Sequence, residues 1–396
     1  MNSADSPVAK RRFRRPAARK RPAAGPAFRN DSQTKTSDVN PDATKAIELL
    51  RRLVALPSPS GREEATAELL RDCLAQRGAA PERLHNNVWA RSAYFDPARP
   101  TLLLNSHHDT VRPAAGYTRD PYDPAVEGDR LYGLGSNDAG ASVVSLLAAF
   151  NQADPTALPF NLLVAITAEE EVGGEHGMRS LLPHLEKAGL KPSMVIVGEP
   201  TGMQAAVAER GLVVLDCVAH GVSGHAARNE GVNAIYRALA DIDKLRGYSF
   251  PRVSDVLGPV KISVTQIEAG RQHNVIPDEC RFVVDVRTTD AYSNEDTARM
   301  LADLIESDCK PRSTRVQASV ISTDHPLVRS AVGLGATTFV SPTTSDMSLL
   351  HGIPSLKIGP GRSERSHTAD EYVLRDEIVK AIPFYSSLIS NLKNHI

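Results

Sequence analysis

Four short apolar runs, at residues 101–104, 160–166, 194–197 and 355–358, set the strongest limit on what this chain can fold into. Each is bounded by turn-forming residues and is the length of a strand buried on both faces of a parallel sheet. Stretches with helical apolar spacing, 141–152 and 178–187, lie between them. Two more, 43–53 and 63–75, come earlier, with Ser58-Pro59-Ser60-Gly61 breaking the chain between them. This order predicts an α/β fold, a mixed, mostly parallel sheet with flanking helices.

The pattern changes over residues 209–313. Strand-like runs at 212–219, 260–267 and 280–287 alternate with helical spacing at 233–246 and 294–307. A self-contained α+β insertion explains this order. It leaves 41–208 and 314–396 as two segments of one catalytic domain.

Charge is unevenly distributed. Residues 1–37 carry ten Lys/Arg against Asp5 and Asp31, so a tail of +8 precedes a remainder of −9 in a chain whose net charge is −1. Rich in Arg, Pro, Ala and Ser, residues 1–40 have little to bury and are expected to be disordered. Such a tail is a solvated extension, a weak electrostatic contact for acidic partners, or a targeting signal. Arg11-Arg12 and Arg14-Arg15 have a twin-arginine look, but no apolar stretch follows them. The acidic remainder offers no second basic surface, so nucleic acid is not an expected partner. No apolar run approaches the roughly 18 residues of a membrane span. The four cysteines, Cys73, Cys217, Cys280 and Cys309, form no CxxC pair and read neither as a disulfide framework nor as a thiolate metal site, which fits a reducing cytoplasm.

The chemistry lies where the apolar runs end. The first leads to His107-His108-Asp109, the second to Glu169-Glu170-Glu171, the third to Glu199-Pro200, and the fourth to Gly359-Pro360-Gly361 and then His367. Ligands of open parallel sheets bind outside the carboxyl ends of the strands, so these segments converge on one crevice. His107 and Asp109, two apart on extended chain, point the same way, which lets Asp109 orient the His107 ring. His108 faces the other side and is set aside as a non-ligand. Asp138, ahead of a helix, is either an N-cap or a carboxylate bridging two cations. Three adjacent glutamates repel one another unless solvated or bound to cations. Jointly, two histidines and three carboxylates suit Zn²⁺, Co²⁺ or Mn²⁺, with one carboxylate left for general-base work. A pair of such cations polarises a carbonyl and acidifies water.

Taken together, SHHDTV (106–111), YGLGSNDAGAS (132–142), TAEEEVGG (167–174), GEPT (198–201), GHAARNEGVNAI (224–235), NVIPDECRFVVDVR (274–287) and IGPG with SHTADEYV (358–373) resemble the M20 family of metallopeptidases and deacylases, most of all its N-acetylornithine deacetylase members. The resemblance implies two Zn²⁺ per subunit, with Co²⁺ or Mn²⁺ as alternatives. His107 and Glu199 would hold one, Glu171 and His367 the other, and Asp138 would bridge. It implies Glu170 as the general base, and the insertion as a lid through which the chain forms a homodimer. His225 and Asn274 would reach the neighbouring subunit's site, where His225 stabilises the oxyanion. Arg287 would bind a substrate carboxylate, or else pair with Asp285 on the same strand face. Gly359 and Gly361 are counted with the substrate-binding positions. The implied substrate is a small N-acylated amino acid, N-acetylornithine in arginine biosynthesis, with N-succinyl-diaminopimelate, N-succinylornithine, carrier-linked lysine and dipeptides as the alternatives. One departure stands out. Asp138-Ala139-Gly140 lacks the lysine that many members carry after the bridging aspartate and is one residue shorter.

Overall fold

A computed structural model describes residues 41–396 apart from 229, so the expectations for the basic tail lie outside the described residues. The chain opens with helices α1 (Pro41–Val54) and α2 (Glu64–Gln76). In α1, Ala43, Ala46, Leu49, Leu50, Leu53 and Val54 form one buried stripe, while Asp42 and Arg51-Arg52 sit at the ends that the helix dipole favours. Strands β1 (Glu82–Leu84), β2 (Asn87–Arg91) and β3 (Thr101–His107) follow. Next come α3 (Ala141–Gln152), β4 (Asn161–Thr167), α4 (Met178–Lys187), β5 (Met194–Val197) and β6 (Ala205–Glu209).

The inserted segment starts at β7 (Gly211–His220) and continues through β8 (Gly224–His225), α5 (Ala234–Gly247), β9 (Lys261–Ala269) and β10 (Val275–Ile276). It ends with β11 (Glu279–Thr288), α6 (Asn294–Leu304) and β12 (Asp308–Pro311). Four of its strands form an antiparallel sheet in the order β9-β11-β7-β12. Alternate residues of β7 (Val213, Leu215, Cys217, Ala219) and β11 (Cys280, Phe282, Val284, Val286) turn inward to a core shared with α5 and α6. Helix α6 stops at Leu304, short of the expected 307, because the chain there enters β12.

The cysteine reading needs correction. Cys217 and Cys309 lie directly opposite each other in the β7–β12 ladder, with Cα atoms 4.3 Å apart, and form a disulfide; Cys73 and Cys280 are free. That distance is typical of closely facing antiparallel residues. Because 92 residues separate the two cysteines, only the strand register could pair them. With Cys217 and Cys309 joined, unpaired thiols no longer point to a reducing compartment.

The chain returns through β13 (Ser319–Val320), α7 (Pro326–Gly333), β14 (Thr338–Ser341), β15 (Ser355–Lys357) and α8 (Arg375–Leu392). Outgoing and returning strands touch where the insert begins. A Cβ on Gly211 would sit 2.6 Å from Val316 O and 2.3 Å from Thr288 Oγ1, so only glycine fits. Asn294 ties the junction by donating from Nδ2 to Val316 O (2.7 Å) and Thr314 O (3.0 Å).

The large sheet has nine strands, ordered β1-β2-β4-β3-β5-β15-β6-β13, with β14 also beside β6. The four apolar runs are its central parallel strands, β4-β3-β5-β15. Both β3 and β4 are buried along their whole length. Alternation sends Leu102 and Leu104 into a core with α1, α3 and α8, and Leu103 into a second core with α4. From β3 the chain moves to β4 on one side and then to β5 on the other. The strand order therefore reverses at β3, and a crevice opens at its carboxyl end.

Candidate metal centre

His107 is the last residue of β3. Its Nδ1 lies 3.1 Å from Asp109 O and 3.5 Å from Asp109 Oδ1, which aims Nε2 at Asp138 Oδ1 (3.2 Å) and Glu199 Oε1 (3.8 Å). Glu199 reaches this point because Gly198 N donates to Asn105 O (2.7 Å), locking the end of β5 to β3. Asp138 sits in a kinked turn, Ser136–Gly140, with extended rather than helical backbone angles (φ −117°, ψ 100°), and does not cap α3, whose N-cap is Gly140. The N-cap alternative is set aside. Instead, Asp138 Oδ2 faces His367 Nε2 at 3.6 Å, and the same nitrogen is 2.9 Å from Glu171 Oε2.

Two sets result, His107-Asp138-Glu199 and Asp138-Glu171-His367, each with its ligand atoms within 4.8 Å of one another. They share Asp138. Each set has one imidazole, one carboxylate of its own and the shared carboxylate, which fits a pair of borderline divalent cations.

The electrostatics agree with that fit. Burial, with Asp138 and Glu171 nearby, outweighs the attraction of His107 and raises the Glu199 carboxyl to about 8. Glu170 is pushed well above its usual value by burial and by Glu199, Asp346 and Glu171, against the pull of His107. Burial opposes charge on the His107 ring, yet Asp109, Asp138 and Glu199 hold its pKa well above normal. The hydrogen bond to Glu171 takes His367 to about 9. Crowded carboxylates retain protons in the place a cation would occupy.

Asp109 does more than orient one ring. Fully buried, it accepts from Ser60 Oγ (2.7 Å), Glu170 N (3.0 Å) and Glu171 N (3.2 Å). These bonds and His107 outweigh burial and keep it ionised. One carboxylate thus fixes both the loop of the candidate base and a ligand of the second set. Glu371 plays the matching role for Asp138, as its Oε1 accepts from Asn137 N (2.9 Å) and Asp138 N (3.0 Å). Asp346 does so for β4, accepting from Thr167 Oγ1 (2.7 Å). Sequence reading missed Ser60, Glu371, Asp346 and Lys357. Glu371 lies inside the SHTADEYV motif, which was its one available signal; the others carry none.

Asp138, Glu170, Glu171, Glu199 and His367 line a cavity of about 190 Å³ whose far wall is Phe339, Ser341, Thr343 and Lys357. A larger cleft, about 550 Å³, lies in the insert around residues 268–281 and contains none of these ligands. His108 points away, bonded to Thr66 Oγ1 and Asn86 O (both 2.9 Å), and burial lowers it to about 4. Gly359 and Gly361 do not line the cavity but let loops close behind it. A Cβ on Gly359 would lie 2.5 Å from Glu199 O, and one on Gly361 would lie 2.4 Å from Asn137 Oδ1. His225, on the β8–β10 ladder, and Asn274, just before β10, are exposed and outside the cavity. Arg287 is also outside it, in a two-bond pair with Asp285 (2.9 and 3.1 Å).

Comparison with known proteins bears on this geometry. Succinyl-diaminopimelate desuccinylase of Paracoccus denitrificans (strain Pd 1222) is 28% identical over 372 residues, covering 86% of this chain and 97% of that protein. The enzyme of the same name from Wolbachia pipientis subsp. Culex pipiens (strain wPip) is 25% identical, covering 87% and 92%. These relatives carry the desuccinylase name, not the N-acetylornithine deacetylase name that the motifs suggested. In fold, the chain is similar to aminopeptidase PepT from Bacillus cereus ATCC 10987, with a TM-score of 0.70 at 18% identity over 89% of this chain and 99% of that one. It is also similar to a dinuclear metal binding peptidase of Bacillus subtilis, with a TM-score of 0.68 at 17% identity over 90% and 99%. Residues 103–391, which hold every candidate ligand, match the model of peptidase family M20/M25/M40, and the chain belongs to that family of metal-dependent hydrolases.

Proposed function

We propose that this chain hydrolyses the amide bond of an N-succinylated amino acid, with N-succinyl-diaminopimelate as the first candidate in place of N-acetylornithine. The observation that carries the hydrolytic reading is the pair of ligand sets joined at Asp138, with an uncommitted carboxylate, Glu170, in the same cavity. The names of the relatives favour succinyl over acetyl.

His107 and Glu199 would hold one cation, Glu171 and His367 the other, with Asp138 between them and Zn²⁺ as the first choice of metal. When bound, the pair supplies polarisation of the amide carbonyl and acidification of water. Glu170 takes a proton from the attacking water and delivers it to the leaving nitrogen, so one water is consumed and a carboxylate and an amine leave. Asp109 keeps the Glu170 backbone and the His107 ring in place. A second copy of the chain completes the site, its insert presenting His225 and Asn274. Support for this comes from the exposure of both residues and of Tyr236 and Leu239 on α5 (71% and 50%).

The test is kcat/KM on metal-reconstituted protein for N-succinyl-diaminopimelate, N-succinylornithine, N-acetylornithine and dipeptides. A chelator should remove activity, and Zn²⁺ or Co²⁺ should restore it. Turnover that survives chelation would overturn the reading.

A further inference from the structure

Among the described residues, Lys357 is the one lysine lining the cavity of the metal centre. Along β15, Leu356 enters the α3-side core, so its neighbour Lys357 points to the opposite face. Its side chain is 2% exposed and that of Glu209 is 0% exposed, with Nζ 2.8 Å from Glu209 Oε2. Nζ also donates to Thr343 O at 2.9 Å. Glu209 is otherwise satisfied by Ser345 N (3.2 Å) and Ser345 Oγ (2.9 Å). An ammonium has three N–H groups, and among the described residues two are engaged. A buried ion pair is a poor stabilising device, since apolar residues of similar volume often do as well or better. Placing one on a cavity wall beside catalytic groups therefore points to recognition.

Register locates the ammonium relative to the chemistry. Lys357 pairs with Val197 of β5, two residues before Glu199. A succinyl group extends its carboxylate two methylenes beyond the amide carbonyl, into the cavity that Glu199 and Lys357 both line, whereas an acetyl group stops at its methyl. We propose that Lys357 is a specificity-determining residue that receives the terminal carboxylate of a succinyl-type acyl group. The proposal rests on the desuccinylase reading above.

The experiment compares N-succinyl, N-succinamoyl and N-acetyl derivatives of one amino acid on the metal-loaded protein. The succinamoyl compound replaces the carboxylate by an uncharged amide of the same shape. In the wild type, kcat/KM should fall about tenfold or more from succinyl to succinamoyl, chiefly through KM, as expected for losing a charge-assisted hydrogen bond. The double variant Lys357→Met with Glu209→Gln removes both charges and leaves no buried ion alone. In it, the succinyl-over-succinamoyl ratio should collapse toward one. Calorimetry with succinate and acetate gives a readout independent of turnover, and succinate should lose its advantage in the double variant. Equal treatment of succinyl and succinamoyl by the wild type overturns the proposal, as does a double variant that keeps the ratio while losing activity. If the wild type hydrolyses none of the compounds yet binds succinate in a Lys357-dependent way, the desuccinylase reading fails and the subsite stands.

Discussion

The carboxyl ends of the large sheet and the inserted segment hold their polar groups in opposite ways. At the sheet ends, Glu170, Glu199 and His367 line a cavity of about 190 Å³, and all three are held above their usual pKa, as is the buried His107 behind them. In the insert, a cleft nearly three times larger is lined by charged residues such as Arg281, which pairs with Glu279 at the surface (2.6 Å). His225, Asn274 and Arg287 are likewise solvent-facing or intermediate. Cavity size thus says less about chemistry than the burial of ionisable groups without compensating charge does. The sheet ends bring both candidate ligand sets together within one chain, whereas His225, Asn274 and Arg287 lie outside that cavity.

The sharpest way to break this contrast is at Glu170. Glu170→Ala should cost 10²–10⁴ in kcat, the usual worth of a general base, with two metals per chain still bound by elemental analysis. Activity within about tenfold of wild type would reassign the base.

A smaller effect probes the insert. His225→Ala should lower kcat by about 10²-fold, comparable to removing one oxyanion donor. Mixing inactive His225→Ala chains with inactive Glu170→Ala chains should restore part of the activity, because one site in the mixed pair draws both groups from intact chains. No recovery on mixing, with subunit exchange verified by mass, would place His225 outside the neighbouring site.

The cluster's protonation gives the next prediction. Burial and neighbouring charge raise Glu199 and Glu371 to about 8 and Asp346 to about 6, from ordinary values of 4.5 and 3.8. Across that window the folded chain binds more protons than the unfolded one, so stability falls as pH rises. His367, raised to about 9 from 6.5, acts with the same sign, since its contribution is full below 6.5 and lost through 9. Metal-free protein should therefore melt several degrees lower at about pH 8.5 than at about pH 5.5, and added Zn²⁺ should flatten the curve. A metal-free melting temperature that climbs over this range would contradict the crowded-carboxylate picture.

The smallest expected effect is at Arg287. Paired with Asp285 and 44% exposed, it should tolerate replacement by alanine with less than about 1 kcal/mol lost and KM changed less than threefold. A KM rise beyond tenfold would instead give Arg287 the substrate contact that the motif resemblance implied.

Much of this was legible before any fold was known. The four central strands announced themselves as short apolar runs, and their ends carried His107, Glu171, Glu199 and the approach to His367. Local periodicity and residue chemistry suffice for such features, because a strand buried on both faces is mostly apolar and a hydrolytic metal site must expose ligands at its tip. Strand β6 and the edge strand β14 beside it were less readable, being short and alanine- or threonine-bearing with no strong alternation.

What the amino-acid order settled alone was the set of parallel strands and the donors at their ends. The tertiary structure decided who meets whom: Glu371 beneath Asp138 across 233 positions, Cys217 against Cys309, Lys357 with Glu209, and Asp285 with Arg287. Most of these pairings depend on the register between distant segments, and register is set by packing of the whole sheet, not by any local pattern.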